Sequence, residues 1–565
     1  MGELISPFEL WNDFSVKLND PNINVISQTV ADGYICREFY FTAYQNNNSK
    51  VRAYAQFYYD PLAVENFGGK APVVFFLGSN KRFYQTLRFL KTLLKGVSIF
   101  TLDYFGEQET TNSRYTIYPE SLSYANFSIA QNDLSLVKSS PKESPWFIWT
   151  AMARRALTLL QNTKEVDSKK IAIMGIKTGA NLAWKIGAMD NRPCCIVSMF
   201  NSGWLGYDFL YKKDRESDIE ISEERSIYLA ALSTQSYAPL VKTPILVTLS
   251  TNECDSTFDR AFDTYSRIPH DTVSMLSVIP YSDKEIFYEY ADTITNWFKN
   301  YLLEKNHILP KQPELKFYNS DNRLYIEIKA DTALPIKEIR LYQATEIPDP
   351  CIRNWTRLKC ETTDDGMYIA AAEILDASEY YFAFANVFYQ NGYVLSSNMS
   401  AVIPSGIKVT SSNIKASRLV YDSSLQLDCF TVVNSEELFH NQNELTMEKG
   451  AFDMYGVQAK IGDLATFKIG DPRYKGYEDD QLQIGYYSPT NQKIIIALRN
   501  YLNEKWEYDY FYTLNSEGAE IWDKITISAN EFKTTDGIML KSFENVALLY
   551  IKSQDKFLLN NILWV

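Results

Sequence analysis

The sequence predicts a multidomain chain: an α/β domain with a mostly parallel sheet and helices on both faces, followed by two all-β sandwich domains. Three observations carry this. Residues 72–300 alternate short, almost continuously apolar runs with helical stretches, the pattern of a parallel sheet buried on both faces. From residue 314 onward the pattern changes to period two, with turn signals about every ten residues, as antiparallel sandwiches require. The length of 565 residues leaves room for three or four domains at about 150 residues each.

The elements follow in order. Tyr34–Ala43 and Val51–Tyr59 read as an antiparallel pair around the turn-like Asn46–Asn47–Asn48. Buried strands come next at Pro72–Leu77, Val97–Leu102, Ile171–Met174, Cys195–Met199, Pro244–Leu249 and Met275–Ile279. The sequence LPKQP, Leu309–Pro313, marks a linker. Period-two strands then appear as LKFYN, RLYIEIKA, EIRLYQA and YYFAFANVFY, as in a small fibronectin-like sandwich. The last part has longer strands: KIIIALRNY, WEYDYFYTL, a Trp-bearing strand Ile521–Ile527, a helix-turn-like ANEF, VALLYIKS and NNILWV. The predicted domains are therefore 1–308, 309–405 and 406–565. No repeat of 20–50 residues is found, which excludes solenoids and propellers.

Composition excludes several function classes. With 46% hydrophobic and 22% charged residues, the chain can build real cores. Its 56 basic against 69 acidic residues give a net charge of −13, with no Lys/Arg block, so it is not expected to bind nucleic acid. The seven cysteines are odd in number and irregularly spaced, with no C-x-x-C, and signal neither a zinc site nor a disulfide framework. A Cys351–Cys360 bridge is compatible with the spacing. Neither a signal peptide nor an 18-residue apolar run is visible, so a soluble, cytoplasmic chain with no membrane contact is expected, or a secreted one if a leader has been removed. Neither a cofactor nor a metal is implied. There are only three histidines, His270, His307 and His440.

The most informative stretch is EVDSKKIAIMGIKTGANLAW, where a strand runs into Gly175–Ile176–Lys177–Thr178–Gly179 and then a helix. That is the strand–turn–helix of a nucleophile elbow, G-x-S-x-G, whose small flanking residues allow a strained turn that exposes the central side chain. A plain strand-to-helix turn reads equally well from this stretch alone. With its surroundings, the chain from about Phe8 to Leu303 resembles the α/β-hydrolase family of acetyl xylan esterases, cephalosporin-C deacetylases and dienelactone-hydrolase-like proteins. The resemblance rests on ADGYICREFYFTAY, DYFGEQET, WTAMARRALTLL, DNRPCCIVSMFNSGW and TPILVTLSTNECDSTFDRAFDTYSRIP, besides the elbow.

What the resemblance implies for catalysis is mostly missing. The family's serine falls on Lys177, and its acid on Glu253 or Asp255. Its histidine is expected in the loop Pro280–Lys284, where Ser282 and Asp283 stand and no histidine does. A serine hydroxyl needs a neighbouring base to deprotonate it and a third group to hold that base. No catalytic residue set is intact, and a pseudo-enzyme is expected; the alternative is an acyl or acetyl ester hydrolase with a rearranged site. Lys177, Thr178, Gly78 and Ser202 are the candidate ligand-binding residues. Lys177 can hold a carboxylate or phosphate, or equally plug the site through an ion pair with Glu253 or Asp283.

The C-terminal order resembles the closing half of a jelly-roll carbohydrate-binding module. Such modules stack sugar rings on exposed aromatic side chains, and the chain is rich in them: 39 Tyr, 32 Phe and 10 Trp. Tyr477 and Tyr486 are the leading candidates, within a set including Tyr474, Tyr487, Trp506, Tyr508 and Tyr510. Alternation places Trp506, Tyr508 and Tyr510 on one face of a strand and Glu507 and Asp509 on the other. Asp471, Glu478, Asp479 and Asp480 offer carboxylates of the kind that hold calcium, or form a solvated loop. The expected partner is a neutral polysaccharide or other glycan, or a protein that uses the β domains as a docking surface.

Overall fold

The computed structural model describes the chain except residues 1–2, 18–19, 32, 47–48, 79–82, 107–113, 131–133, 202, 205–210, 212–220, 283–285, 304–307, 365, 425–426, 434–438, 441–443 and 503–504. It forms two compact units. The first comprises Met1–Leu249, Phe258–Ser277 and Asp292–Leu309; the second comprises Ser250–Thr257, Val278–Ala291 and Pro310–Val565.

The first unit is built on a nine-stranded sheet: β1 (Asn24–Ala31), β2 (Tyr34–Asn46), β3 (Ser49–Tyr59), β4 (Ala71–Leu77), β5 (Ser98–Leu102), β6 (Val166–Ile176), β7 (Cys195–Met199), β8 (Ile245–Ser250) and β9 (Ser274–Ile279). Its spatial order is β1-β2-β3-β5-β4-β6-β7-β8-β9. The pairs β1/β2, β2/β3 and β3/β5 are antiparallel, and β5/β4, β4/β6, β6/β7 and β7/β8 are parallel. The sheet is therefore mixed, with an antiparallel edge at β1–β3 and parallel strands from β5 to β8, as the sequence predicts for its middle. Every residue of β4, β5, β7 and β8 is buried, which is why these strands read as unbroken apolar runs. The edge strand β1 is largely exposed and escaped the sequence pattern because it has no buried face to repeat.

Two helices fix the middle of this sheet. Pro145–Gln161 starts at Ser144, whose hydroxyl accepts from Phe147 N, with a proline in the first turn. Its Trp149 indole donates to Ala125 O at 2.8 Å. The helix Thr178–Met189 follows β6 directly and is tied to β7 by Trp184 Nε1 donating to Ser198 Oγ at 2.8 Å. It carries the fully buried Lys185, whose ammonium donates to Asn181 Oδ1 and lies 4.6 Å from the Trp146 ring centroid.

In the second unit, residues 314–402 form two antiparallel sheets, of four and five strands, enclosing a core that includes Leu324, Ile326, Leu341, Tyr381, Ala383 and Ala385. Residues 419–564 form a nine-stranded antiparallel sheet around two long strands, Gln481–Leu502 and Lys505–Ser528. The first half of Gln481–Leu502 pairs with Leu558–Trp564, and its second half with Val546–Lys552. Leu482, Ile484, Tyr486, Ile494, Ile496 and Leu498 point into one apolar core, while Ala497 joins a smaller cluster on the opposite face.

Two expectations are corrected here. WEYDYFYTL and the Trp-bearing run Ile521–Ile527 are one continuous strand of 24 residues, because Gln481–Leu502 pairs with it along nearly its whole length. All seven cysteines are free, so Cys351 and Cys360 are not bridged. Cys351 is buried in a turn where its backbone N–H donates to Asp349 Oδ1 at 2.9 Å, and its thiol lies against that of Cys254 instead. Among the described residues no helix is long and apolar enough to cross a membrane.

Candidate active site

The elbow is present as a geometric object. At the end of β6 the chain turns through Lys177, which adopts φ 52° and ψ −113° and precedes the first residue of the helix Thr178–Met189. Positive φ is costly for a residue with a β-carbon, so this turn stores strain. The strain is held from both sides: Lys177 N donates to Met199 O of β7 at 2.9 Å, and Lys177 O accepts from Asn181 N at 3.1 Å. The flanking glycines are steric requirements. A β-carbon on Gly179 would lie 2.0 Å from Leu77 O of β4, and one on Gly175 would lie 2.4 Å from Gly179 O. Lys177 and Thr178 are both half-buried. Gly78, at the end of β4, leaves space that the Phe76 ring fills, since a β-carbon would meet Phe76 Cζ at 2.1 Å.

A second loop at this end of the sheet is organised by Asp103, which opens the DYFGEQET stretch. Its carboxylate accepts from the backbone N–H of Phe105, Gly106 and Thr116 at 3.1, 3.3 and 2.6 Å. Burial pushes its pKa up to about 6, against the pull of those donors. Gly106 takes φ 76°, which explains the glycine in this turn.

The histidines offer no base in this unit's described part. Ile245 N donates to Val273 O, and Thr251 N to Ile279 O, so β9 runs parallel to β8. His270, exposed four residues before β9, therefore sits at the amino edge of the sheet, whereas the elbow is at the carboxyl end of β6. His307, Ser202 and Asp283 lie outside the described residues, as does the side chain of His440.

The remaining candidates belong to the second unit. Glu253 is 2% exposed, and its Oε1 accepts from Asp255 N at 3.2 Å; Asp255 itself is exposed. The Glu253 loop is anchored within this unit: Asn252 Nδ2 donates to Cys351 O and Arg353 O at 3.2 and 2.9 Å, and Asn252 N to Ser282 O at 3.0 Å. Ser282 is fully buried.

The aromatic candidates separate cleanly. Tyr477 is 48% exposed. Tyr486 is 6% exposed, stacked on Phe557 with its hydroxyl on Asp523, and is a core residue rather than a platform. Trp506, Tyr508 and Tyr510 do not share a face. Trp506 packs with Phe511 on the small cluster and donates to Cys254 Sγ, while Tyr510 joins the main core. A register shift between Arg499 and Tyr501 breaks strict alternation there, and puts Asp509 beside Arg499 and Tyr550 on the Trp506 side. Two of the four acidic residues are engaged, since Asp471 is buried against Arg473, and Asp480 pairs with Arg418 and accepts from Tyr477 N at 2.7 Å; Glu478 and Asp479 are exposed.

No family model matches this chain, and no curated protein matches it in sequence. Solved structures do. Acetyl xylan esterase 1 from Thermoanaerobacterium sp. JW/SL YS485 is 16% identical, with 54% of this chain and 95% of that one covered at a TM-score of 0.37. An acetyl xylan esterase from Paenibacillus sp. R4 is 15% identical, covering 50% of this chain and 88% of that one, with a TM-score of 0.35. A glucuronoyl esterase from Solibacter usitatus is 13% identical, covering 50% and 86%, with a TM-score of 0.34.

Proposed function

We propose that the first unit is a carbohydrate-esterase-like α/β-hydrolase homologue that does not turn esters over, and that the chain works by binding a glycan. The observation that carries this is the residue at the elbow. The strained turn and its two packed glycines are those of a nucleophile elbow, yet the side chain at its apex is an ammonium-bearing lysine. A lysine attacks only when desolvation or a second cation lowers its pKa, and a hydroxyl nucleophile needs a base that no described histidine of this unit is placed to supply. A cation on a strand-end loop is instead suited to holding a carboxylate or phosphate. On the second unit, the exposed Tyr477 supports glycan stacking.

The test is turnover. Purified protein is expected to leave p-nitrophenyl acetate and acetylated xylan at background, and Lys177→Ser is expected not to restore activity, because a serine without its base gains little. A rate of roughly one per second that depends on Lys177, Thr178 or Glu253 would overturn the proposal in favour of an active ester hydrolase. Retardation of the protein by xylan, glucan or mannan in affinity electrophoresis, lost in Tyr477→Ala, supports the glycan. Capture of a protein by the full chain without any retardation would shift the reading to a docking protein.

A further inference from the structure

A buried cation faces a cavity in the second unit, well separated in sequence from the elbow and independent of how the elbow is read. The cavity has a volume of ≈ 630 Å³, within the range of small-molecule sites. Its walls come from the strand Thr356–Leu358 and the residues after it, and from the short helical turn Lys468–Gly470 with Tyr474.

Lys468 is the unusual member. It is only 6% exposed, and its Nζ lies 4.2 Å from the Tyr474 ring centroid. Among the described residues no carboxylate oxygen lies within 4.0 Å of that ammonium, and no side chain accepts a hydrogen bond from it. Lysines are rarely buried to this degree without an acceptor. Lys185, the other deeply buried lysine among the described residues, has one in Asn181. Burial pushes the Lys468 pKa below its ordinary value, while the nearby Cys429, Asp471 and Asp422 act in the opposite direction.

The rest of the lining has the same sign. Arg357 and the exposed Lys359 add two cations, the first of them already paired with Glu338. The single carboxylate in the wall, Glu373, is committed: it accepts from Gln343 Nε2 at 2.7 Å and meets Arg473 Nη1 at 3.4 Å. Beside these charges lie the rings of Tyr368 and Tyr474 and the apolar Leu358. Lysine is a compact point charge that suits a carboxylate or phosphate oxygen, and the aromatic wall suits a ring.

We propose that this cavity binds a small anionic molecule, one carboxylate or phosphate oxygen meeting Lys468 Nζ and its body lying against Tyr474 and Tyr368. Calorimetric titration of the full chain with sodium glucuronate, inorganic phosphate and uncharged xylose tests it. At least one of the two anions is expected to bind at one per chain, with xylose failing; which anion binds names the oxyanion. Lys468→Met is expected to weaken that binding by tenfold or more, about one decade of Kd, and Lys468→Arg to retain most of it. Lys359→Glu, an exposed change at the wall that leaves the core untouched, is expected to weaken it several-fold, which keeps the test decisive if Lys468→Met does not fold. No binding of either anion up to about 10 mM, ten times the Kd of a weak millimolar site, overturns the proposal, as does unchanged affinity in both Lys468→Met and Lys359→Glu.

Discussion

Replacing Asp471 with alanine is expected to destabilise the second unit by about 3 kcal/mol or more. Asp471 and Arg473 are each 1% exposed. The Asp471 carboxylate accepts four hydrogen bonds: from Arg473 Nε and the Arg473 backbone N–H at 2.9 Å each, and from Arg473 Nη2 and Asn354 Nδ2 at 2.7 Å each. Burial alone lowers the Arg473 pKa, and the charge and hydrogen bonds of Asp471 more than reverse this. Removing one partner of such a pair leaves an uncompensated buried charge, which costs about 3–5 kcal/mol. Thr356 Oγ1 at 3.2 Å and Glu373 at 3.4 Å remain near Arg473 Nη1 and place the value toward the lower end. The assay is urea unfolding of the full chain followed by tryptophan fluorescence, where the fully buried Trp355, next to Asn354, reports on this region. The double variant Asp471→Leu with Arg473→Met removes both charges and is expected to cost at least ~2 kcal/mol less than the sum of the single changes. A loss below about 1 kcal/mol for Asp471→Ala, or strict additivity in the double variant, would refute the idea that the pair is mutually dependent.

Two further outcomes follow from geometry and charge. Gly179→Ala drives a β-carbon to 2.0 Å from the Leu77 carbonyl, so the first unit is expected to lose folding, seen as a missing thermal transition; Gly406→Ala, which meets nothing within 4 Å, should stay within about 1 kcal/mol of wild type. The Glu346 pKa is pushed up to about 7 by burial and then by Asp376, Asp471 and Glu379. A folded-state pKa above the unfolded value of about 4.3 means that stability is fully present below that pH and is lost as pH rises through 7. Glu346→Gln is therefore expected to raise the melting temperature at pH 8 but not at pH 4, and a pH-independent difference would contradict this.

The elbow was legible because its requirements are local. A strand, two glycines two residues either side of a centre and a helix are adjacent in sequence, and the contacts of Gly175 and Gly179 show why no larger residue fits there. The parallel strands were legible because a strand buried on both faces needs apolar residues throughout. Face assignment failed where both faces are aromatic. Tyr486 and Tyr510 are core, while Tyr508 is exposed, and only a register shift decides where Trp506 points. Asp471 looked like part of an acidic loop because Asn354, which completes its shell with Arg473, is 117 residues away. The Lys468 cavity was invisible for the same reason: its walls come from residues 339–474 and share no motif.

The composition of the second unit has a consequence for synthesis. Ser250–Thr257 and Val278–Ala291 belong to it, although the rest of that unit begins only at Pro310 and runs to Val565. A ribosome working at about 5–20 residues per second needs roughly 14–55 s to pass from residue 291 to residue 565. For that interval Glu253, Cys254 and Ser282 have been made but their unit is incomplete, so Asn252 cannot yet reach the carbonyls of Cys351 and Arg353. A released chain truncated at residue 308 should expose these two segments to protease while the rest of the sheet is protected, and a fragment starting at residue 310 lacks pieces of its own unit from the outset.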